Sequence, residues 1–151
     1  MSEEKKKQQS RLRARCFALL SRREHSQREL LQKLAAKGFD EDDIRLLLEE
    51  FIDKNWQSDL RFAESYSRSR LLKGFGPVRI QYELKERGVD VAVNDVFEDA
   101  PDWQEVLNEL HTKKYGHQPP DDMKERAKRT RFFQHKGFTH EMIKQLFNQL
   151  S

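Results

Sequence analysis

Two groups of basic residues have the types and spacing suited to one chemical task, the binding of a polyanion. The first group lies at i, i+4 and i+7 on one side of a predicted helix: Lys124, Lys128 and Arg131. The second group brackets a Gly-Phe-Gly-Pro turn at residues 74–77: Arg68, Arg70, Lys73 and Arg79. Rows of lysine and arginine are the electrostatic footprint of a protein that binds nucleic-acid phosphates. We therefore predict that these residues contact a partner or DNA; a solvated helix face is the alternative.

Motifs for catalysis or cofactor binding are missing from the sequence. It contains no GxxxxGK[ST] loop, no HExxH, no GxSxG and no paired-cysteine zinc spacing. His111, His117 and Asp121 could be imagined as metal ligands, but their spacing fits no standard pattern. The lone GxG at residues 74–76 lacks the preceding strand of a dinucleotide fold and is better explained as a helix start. We predict a protein that is not an enzyme and that uses no cofactor, metal or small-molecule substrate.

A repeat defines the elements that must position the basic groups. Gly38, Gly88 and Gly137 are spaced 50 and 49 residues apart, and an apolar residue lies four before and one after each glycine. Two residues after each glycine comes a helix-capping type: Asp40, Asp90 or Thr139. Glycine can end a helix in the left-handed conformation, and the capping residue can accept from the free amides of the next helix. Each copy therefore predicts a tight helix-turn-helix corner.

The corners predict three tandem three-helix repeats, because a further amphipathic segment precedes each corner and no convincing strand remains. The predicted boundaries are a disordered basic tail at 1–9 and repeats at 10–57, 58–101 and 102–151. Small three-helix units bury their apolar faces poorly alone, so we expect an all-α fold whose repeats stack into an elongated, curved array. Cys16 is predicted to be a core residue, and Asp59 an N-cap at the junction of the first two repeats.

Charge follows the same repeat. The 151 residues have a net charge of only +3, but successive segments alternate in sign: +7 for residues 1–37, −6 for 38–60, +4 for 61–88, −7 for 89–110 and +5 for 111–137. Stacked repeats could collect each sign on its own surface, although acids in a first helical turn are also favoured by the helix dipole. The sequence has no apolar run long enough to span a bilayer and begins MSEEKKKQQS, without a hydrophobic leader. We predict a cytoplasmic protein without a membrane partner.

The chain resembles the RecX family of bacterial recombination regulators. The matching text is WQSD at 56–59, RFA at 61–63, Ser69-Arg70 and KGFGP at 73–77, followed by Ile80, Glu83, Leu84 and Gly88. The resemblance extends to RREHS at 22–26, Glu29-Leu30 and Lys33-Leu34. It covers about residues 12–150. It is strong in the first two repeats and weaker in the third.

The resemblance implies a three-repeat helical protein that binds the RecA filament on single-stranded DNA. It further implies that this binding lowers the ATPase, strand-exchange and co-protease activities of the filament, in DNA recombination, repair and the SOS response. Weak direct binding to DNA is a separate expectation. On this hypothesis the two basic groups face the filament interior: Arg68, Arg70, Lys73 and Arg79, with Lys124, Lys128 and Arg131.

Two other interpretations stay open at the level of sequence. An independent DNA-binding protein could grip duplex DNA with each helix-turn-helix corner, and its binding would fall steeply with salt and need no second protein. A metal-dependent nuclease would need clustered carboxylates, whereas the acids here are predicted on the solvent-facing sides of amphipathic helices.

Overall fold

The computed structural model describes residues 2–150, and within that range the protein is helical without a strand. Its eight α-helices are α1 (Glu3–Arg22), α2 (Gln27–Ala36), α3 (Glu41–Asp53), α4 (Asp59–Leu72), α5 (Pro77–Glu86), α6 (Trp103–Tyr115), α7 (Met123–Lys136) and α8 (His140–Leu150). A single 3₁₀ turn, Val93–Asp95, lies between α5 and α6. The predicted all-α class is confirmed. Among these residues, no helix is both long and apolar enough to cross a membrane.

The chain divides into two compact units. Unit 1 runs up to Ser65 and includes Glu86–Asp90, whereas unit 2 holds Tyr66–Lys85 and the chain from Val91 onward. Unit 1 contains α1–α3 and unit 2 contains α6–α8, and the boundary falls within α4.

The core of unit 1 follows from the apolar stripes of its three helices. The residues buried together are Leu12, Cys16, Leu30, Leu34, Ile44, Leu48 and Phe51. Each fully buried aliphatic or aromatic side chain contributes about 1.5–3 kcal/mol. Cys16 is confirmed as a core residue: burial raises the pKa of its thiol to about 11, so it stays protonated and unreactive.

The glycine corners are confirmed, with one difference in the second repeat. Gly38, Gly88 and Gly137 have φ of +92°, +83° and +109°, which is the left-handed region. Asp40 caps α3 and Thr139 accepts from the backbone of Met142 in α8. After Gly88, however, the third helical element is only the 3₁₀ turn, because the Gln81 side chain binds the carbonyl of Val91 and the amide of Val93. Four valines between Gly88 and Pro101, which are β-branched, and Pro101 itself also disfavour an α-helix there.

The predicted disordered tail differs from the structure, which places residues from Glu3 onward in α1. The Ser2 hydroxyl accepts from the backbone amide of Lys5, so it caps the helix. Glu3 and Glu4 lie in the first turn, where the helix dipole favours negative charge. The N-terminal lysines therefore continue an exposed helix face.

The predicted N-cap role of Asp59 is wrong in detail. Asp59 is the first residue of α4, and the cap is Ser58, whose hydroxyl accepts from the amide of Arg61. The Asp59 carboxylate instead accepts from the amide of Gln27 at the start of α2 and from the side-chain amide of Gln57, both at 2.9 Å. It therefore joins two helix starts within unit 1.

We expect Asp59→Ala to lower the free energy of unfolding by about 1 kcal/mol, the usual value of a helix-start hydrogen bond. Asp59→Asn retains an acceptor oxygen and should lose less than half as much. Urea unfolding of both variants measures the difference. Equal losses for Ala and Asn would show that the hydrogen bonds to Asp59 do not stabilise the fold.

Candidate nucleic-acid interface

The Gly-Phe-Gly-Pro turn places Phe75 among three cations in unit 2. Gly74 ends α4 with φ of +87°, and Pro77 is the first residue of α5, as the sequence predicted. The ring centroid of Phe75 lies 3.7 Å from Cζ of Arg70, 4.4 Å from Cζ of Arg79 and 4.5 Å from Nζ of Lys136. These four residues form the Phe75 cluster. Cation–aromatic contacts of this kind contribute about 0.5–1 kcal/mol each at exposed sites and more where water is excluded.

A buried carboxylate holds the two arginines of the cluster in place. Glu83 accepts from Nε and Nη2 of Arg70, both at 2.8 Å, from Nε of Arg79 at 3.3 Å and from the Tyr66 hydroxyl at 3.1 Å. Only 9% of Glu83 is exposed. Burial alone would raise its pKa, but the hydrogen bonds from Arg70 and Arg79 outweigh this and the pKa lies below the ordinary value. One ionised acid between two arginines leaves a net positive charge on the cluster.

Two glycines bring the end of α7 against the start of α5. The amide of Gly76 donates to the carbonyl of Lys136 at 2.7 Å, and the amide of Val78 donates to the carbonyl of Gly137 at 3.0 Å. A Cβ atom added to Gly76 would lie 2.7 Å from the carbonyl carbon and oxygen of Gly137. This close backbone approach places Lys136 beside Phe75. The sequence pattern predicts only a helix start at Gly76 and not this contact, because the contact joins residues about sixty positions apart.

The predicted residues on α7 form an exposed row that leads to the cluster. Lys124, Lys128 and Arg131 are exposed, and His135 continues the row at i+11. Arg79 donates from Nη1 to the carbonyl of His135 at 3.1 Å. The structure therefore brings the two predicted basic groups together through Arg79 and His135. We call the combined surface the unit 2 strip: the Phe75 cluster with Lys124, Lys128, Arg131 and His135.

The seven basic residues predicted to bind a partner do not all lie on one accessible basic surface. Arg70 and Arg79 are held by Glu83, so their first role is structural. Arg68 and Lys73 are exposed on α4 and just after it, outside the Phe75 cluster. At the start of α7, a shallow depression is lined by four cations and three acids, and its cations include Arg131 as well as Lys124 and Lys128. The three acids offset part of the charge there, so the positive potential of the strip is expected to be greatest toward the Phe75 cluster.

Cations and aromatic rings continue to alternate beyond Phe75. Nζ of Lys136 lies 5.7 Å from the ring of Phe132, and Nζ of Lys114 lies 4.1 Å from the same ring. Lys114 also lies 5.7 Å from the ring of Tyr115. Sequence reasoning missed Lys114, Phe132 and Lys136, although the text KKY at 113–115 and RFFQHK at 131–136 signals basic residues next to aromatics. Half-buried rings between cations are typical of surfaces that bind single strands, where bases stack and phosphates pair.

His111 takes part in the support of this surface. It is fully buried, and Arg129 donates to its Nε2 at 3.1 Å and to the carbonyl of Gln118 at 2.8 Å. Burial, with a smaller contribution from the charge of Arg129, lowers the pKa of His111. A histidine that accepts from an arginine in this way is neutral, and it acts as a packing and hydrogen-bonding residue.

Comparisons with known proteins agree along most of the chain. Residues 13–51, 58–93 and 101–147 match the models of the first, second and third three-helix domains of RecX. The regulatory protein RecX of Acinetobacter baylyi is 39% identical over 142 residues, covering 93% of this chain and 89% of the relative. That of Chromohalobacter salexigens is 44% identical over 128 residues, covering 83% and 84%. The crystal structure of RecX from Lactobacillus salivarius is similar in fold, with a TM-score of 0.75 at 24% identity, covering 95% of this chain and 97% of that one. The three matched domains confirm the predicted three tandem helical repeats, and in the second of them the third helical element is the 3₁₀ turn Val93–Asp95.

Proposed function

Because the chain belongs to the RecX family, we propose that it binds the RecA filament on single-stranded DNA and modulates its activities. Binding lowers the ATPase, strand-exchange and co-protease activities of the filament, in the cytoplasm, during DNA recombination, repair and the SOS response. The protein acts by occupying a surface and not by catalysis. The relatives bear the name regulatory protein, which supports a regulatory role for this chain.

The unit 2 strip is the observation that best supports a partner of this kind. Its cations lie in a row along α7 and continue onto the Phe75 cluster, whose half-buried ring lies between guanidinium and ammonium groups. From Lys124 to Lys136 the row extends about 18 Å at 1.5 Å per residue. A linear row of this length suits a linear polyanion better than a small anion. Phosphates held in the filament are therefore the proposed ligands of the strip.

The exposed members of the strip offer a cleaner test than the residues held by Glu83. Charge reversal by Arg70→Glu would place a second carboxylate beside Glu83, so a loss of binding by that variant could reflect a damaged fold. Lys128 and Arg131 are exposed on α7, and substitutions at exposed helix positions change stability by about 0.5 kcal/mol or less. We expect Lys128→Glu with Arg131→Glu to weaken binding to the RecA filament at least tenfold.

Cosedimentation with RecA assembled on single-stranded DNA with a slowly hydrolysed ATP analogue measures that affinity. The matched control is Lys5→Glu with Lys6→Glu, which reverses two exposed charges at the start of α1. The control should bind within about twofold of the unaltered chain. Equal binding by the α7 variant and the control would contradict the role of the strip, whereas no binding by the unaltered chain would contradict the proposed function itself.

A further inference from the structure

A second basic surface lies on α1 in unit 1, apart from the residues that the proposed function uses. A shallow groove of about 530 Å³ runs between α1 and the corner that follows α2. We call it the α1 groove, and its lining residues are Arg11, Ala14, Arg15, Ala18, Lys37 and Phe39. The two alanines keep its floor low, and the three cations are all exposed.

The cations of the α1 groove differ in their surroundings from three arginines of unit 1 that are paired with acids. Arg13 pairs with Glu50 at 2.6 Å, Arg61 with Glu24 at 2.6 Å and Arg45 with Glu41 at 2.7 Å. Within residues 2–150, the side chains of Arg11, Arg15 and Lys37 form neither an ion pair nor a hydrogen bond, and the groove lining has no carboxylate. The fold thus concentrates positive charge here without supplying its counterion.

The groove belongs to a longer basic row. Lys7, Arg11, Arg15 and Arg22 lie within an arc of about 80° on α1, and all four are exposed. The row from Lys7 to Arg22 extends about 22 Å along the helix. A row of this length exceeds any single small anion. Arginine, which forms two of the groove's three cations, is suited to phosphate because its guanidinium can donate two parallel hydrogen bonds.

We propose that the α1 groove binds the phosphodiester backbone of a nucleic-acid strand, with Arg11, Arg15 and Lys37 as its phosphate ligands. This contact needs no RecA. It is separate from the unit 2 strip, so its failure in an experiment would leave the proposed function untouched. An acidic protein segment is a weaker fit, because the groove has small alanines and one half-buried ring where a peptide would need apolar anchors.

Fluorescence anisotropy of a labelled oligothymidylate, titrated with the full chain in the absence of RecA, tests the proposal. At 50 mM salt, Arg11→Gln with Arg15→Gln should weaken binding about tenfold and reduce the slope of log K against log salt by about 1.4, since each single-strand phosphate contact contributes about 0.7. Lys85→Gln with Lys144→Gln removes the same charge from exposed positions of α5 and α8, outside both basic surfaces, and should leave the slope nearly unchanged. Arg11→Lys with Arg15→Lys keeps the charge and should retain most of the slope, which separates charge from fold.

The other arms of the experiment identify the source of the phosphate. If Arg11→Gln with Arg15→Gln also weakens binding to a duplex of equal length, the groove recognises the phosphodiester backbone of single-stranded and double-stranded nucleic acid alike, which supports the proposal. Polyglutamate is the competing polyanion without phosphate. If it displaces the labelled oligonucleotide as well as an unlabelled oligonucleotide of equal charge does, the groove is a general anion surface and the proposal is overturned. A salt slope that is the same for the α1 variant and the α5/α8 control would overturn it as well.

Discussion

Glu83→Ala is expected to lower the free energy of unfolding by about 3 kcal/mol, the lower end of the range for breaking a buried ion pair. The substitution leaves Arg70 and Arg79 side by side without the acid that both contact. The loss lies at the lower end because Arg79 is 30% exposed and can turn partly toward water. The aromatic contacts of Phe75 depend on the same guanidinium positions, so they should weaken too.

Urea unfolding followed by circular dichroism measures this loss, with Glu86→Ala as the matched control. Glu86 is an exposed acid on the same helix, and its removal should change the free energy of unfolding by about 0.5 kcal/mol or less. A loss of the same small size for Glu83→Ala would contradict the described network.

The pH dependence of stability provides an independent readout of Glu83. Its pKa in the folded protein lies below the ordinary value, so the folded state binds fewer protons than the unfolded state in that range. Its contribution to stability is therefore complete above the unfolded pKa and is lost as the pH falls through the folded pKa. Glu83→Gln should be less stable at neutral pH and should lose less stability than the unaltered chain on acidification.

Gly137→Ala should lower the free energy of unfolding by about 3 kcal/mol, through two additive causes. The backbone at Gly137 has φ of +109°, a conformation that costs a residue with a Cβ atom about 1–2 kcal/mol. The new Cβ would also lie 2.5 Å from Cβ of Arg79 and 2.8 Å from its backbone nitrogen. Forcing an atom into such a site costs about 1–3 kcal/mol more, because the backbone must move.

Gly38→Ala separates the two causes. Gly38 ends α2 at an equivalent corner with φ of +92°, but an added Cβ would have no atom within 4 Å. Its loss should therefore be limited to about 1–2 kcal/mol from the backbone conformation alone. Equal losses for the two variants in urea unfolding would show that the close approach of α5 and α7 is absent in solution.

The main features of the fold could be predicted because they depend on local patterns. A glycine after a helix, a capping residue two positions later and an apolar stripe are short-range features, and they predicted the corners at Gly38, Gly88 and Gly137. The same reasoning overestimated the second repeat, because the apolar residues four before and one after Gly88 resemble those of the other copies. The side chain of Gln81, which binds the backbone there, could not be inferred from spacing.

The candidate surface was predicted only in part, for a related reason. Exposed cations such as Lys128 and Arg131 can be found from helical spacing, since one side of a helix is defined by sequence. The pairing of Arg70 with Glu83 depends on how α4 packs against α5, and the position of Lys136 depends on the contact between Gly76 and Gly137. Charge counts therefore overstated how accessible Arg70 and Arg79 are and missed Lys136.

The ATPase rate of RecA on single-stranded DNA, measured with increasing amounts of this chain, tests the proposed function most directly. We predict that the rate falls progressively and is largely suppressed when the chain approaches the concentration of RecA. The Lys128→Glu, Arg131→Glu variant should need at least ten times more protein for the same effect. An ATPase rate that stays unchanged at equimolar protein would contradict the account.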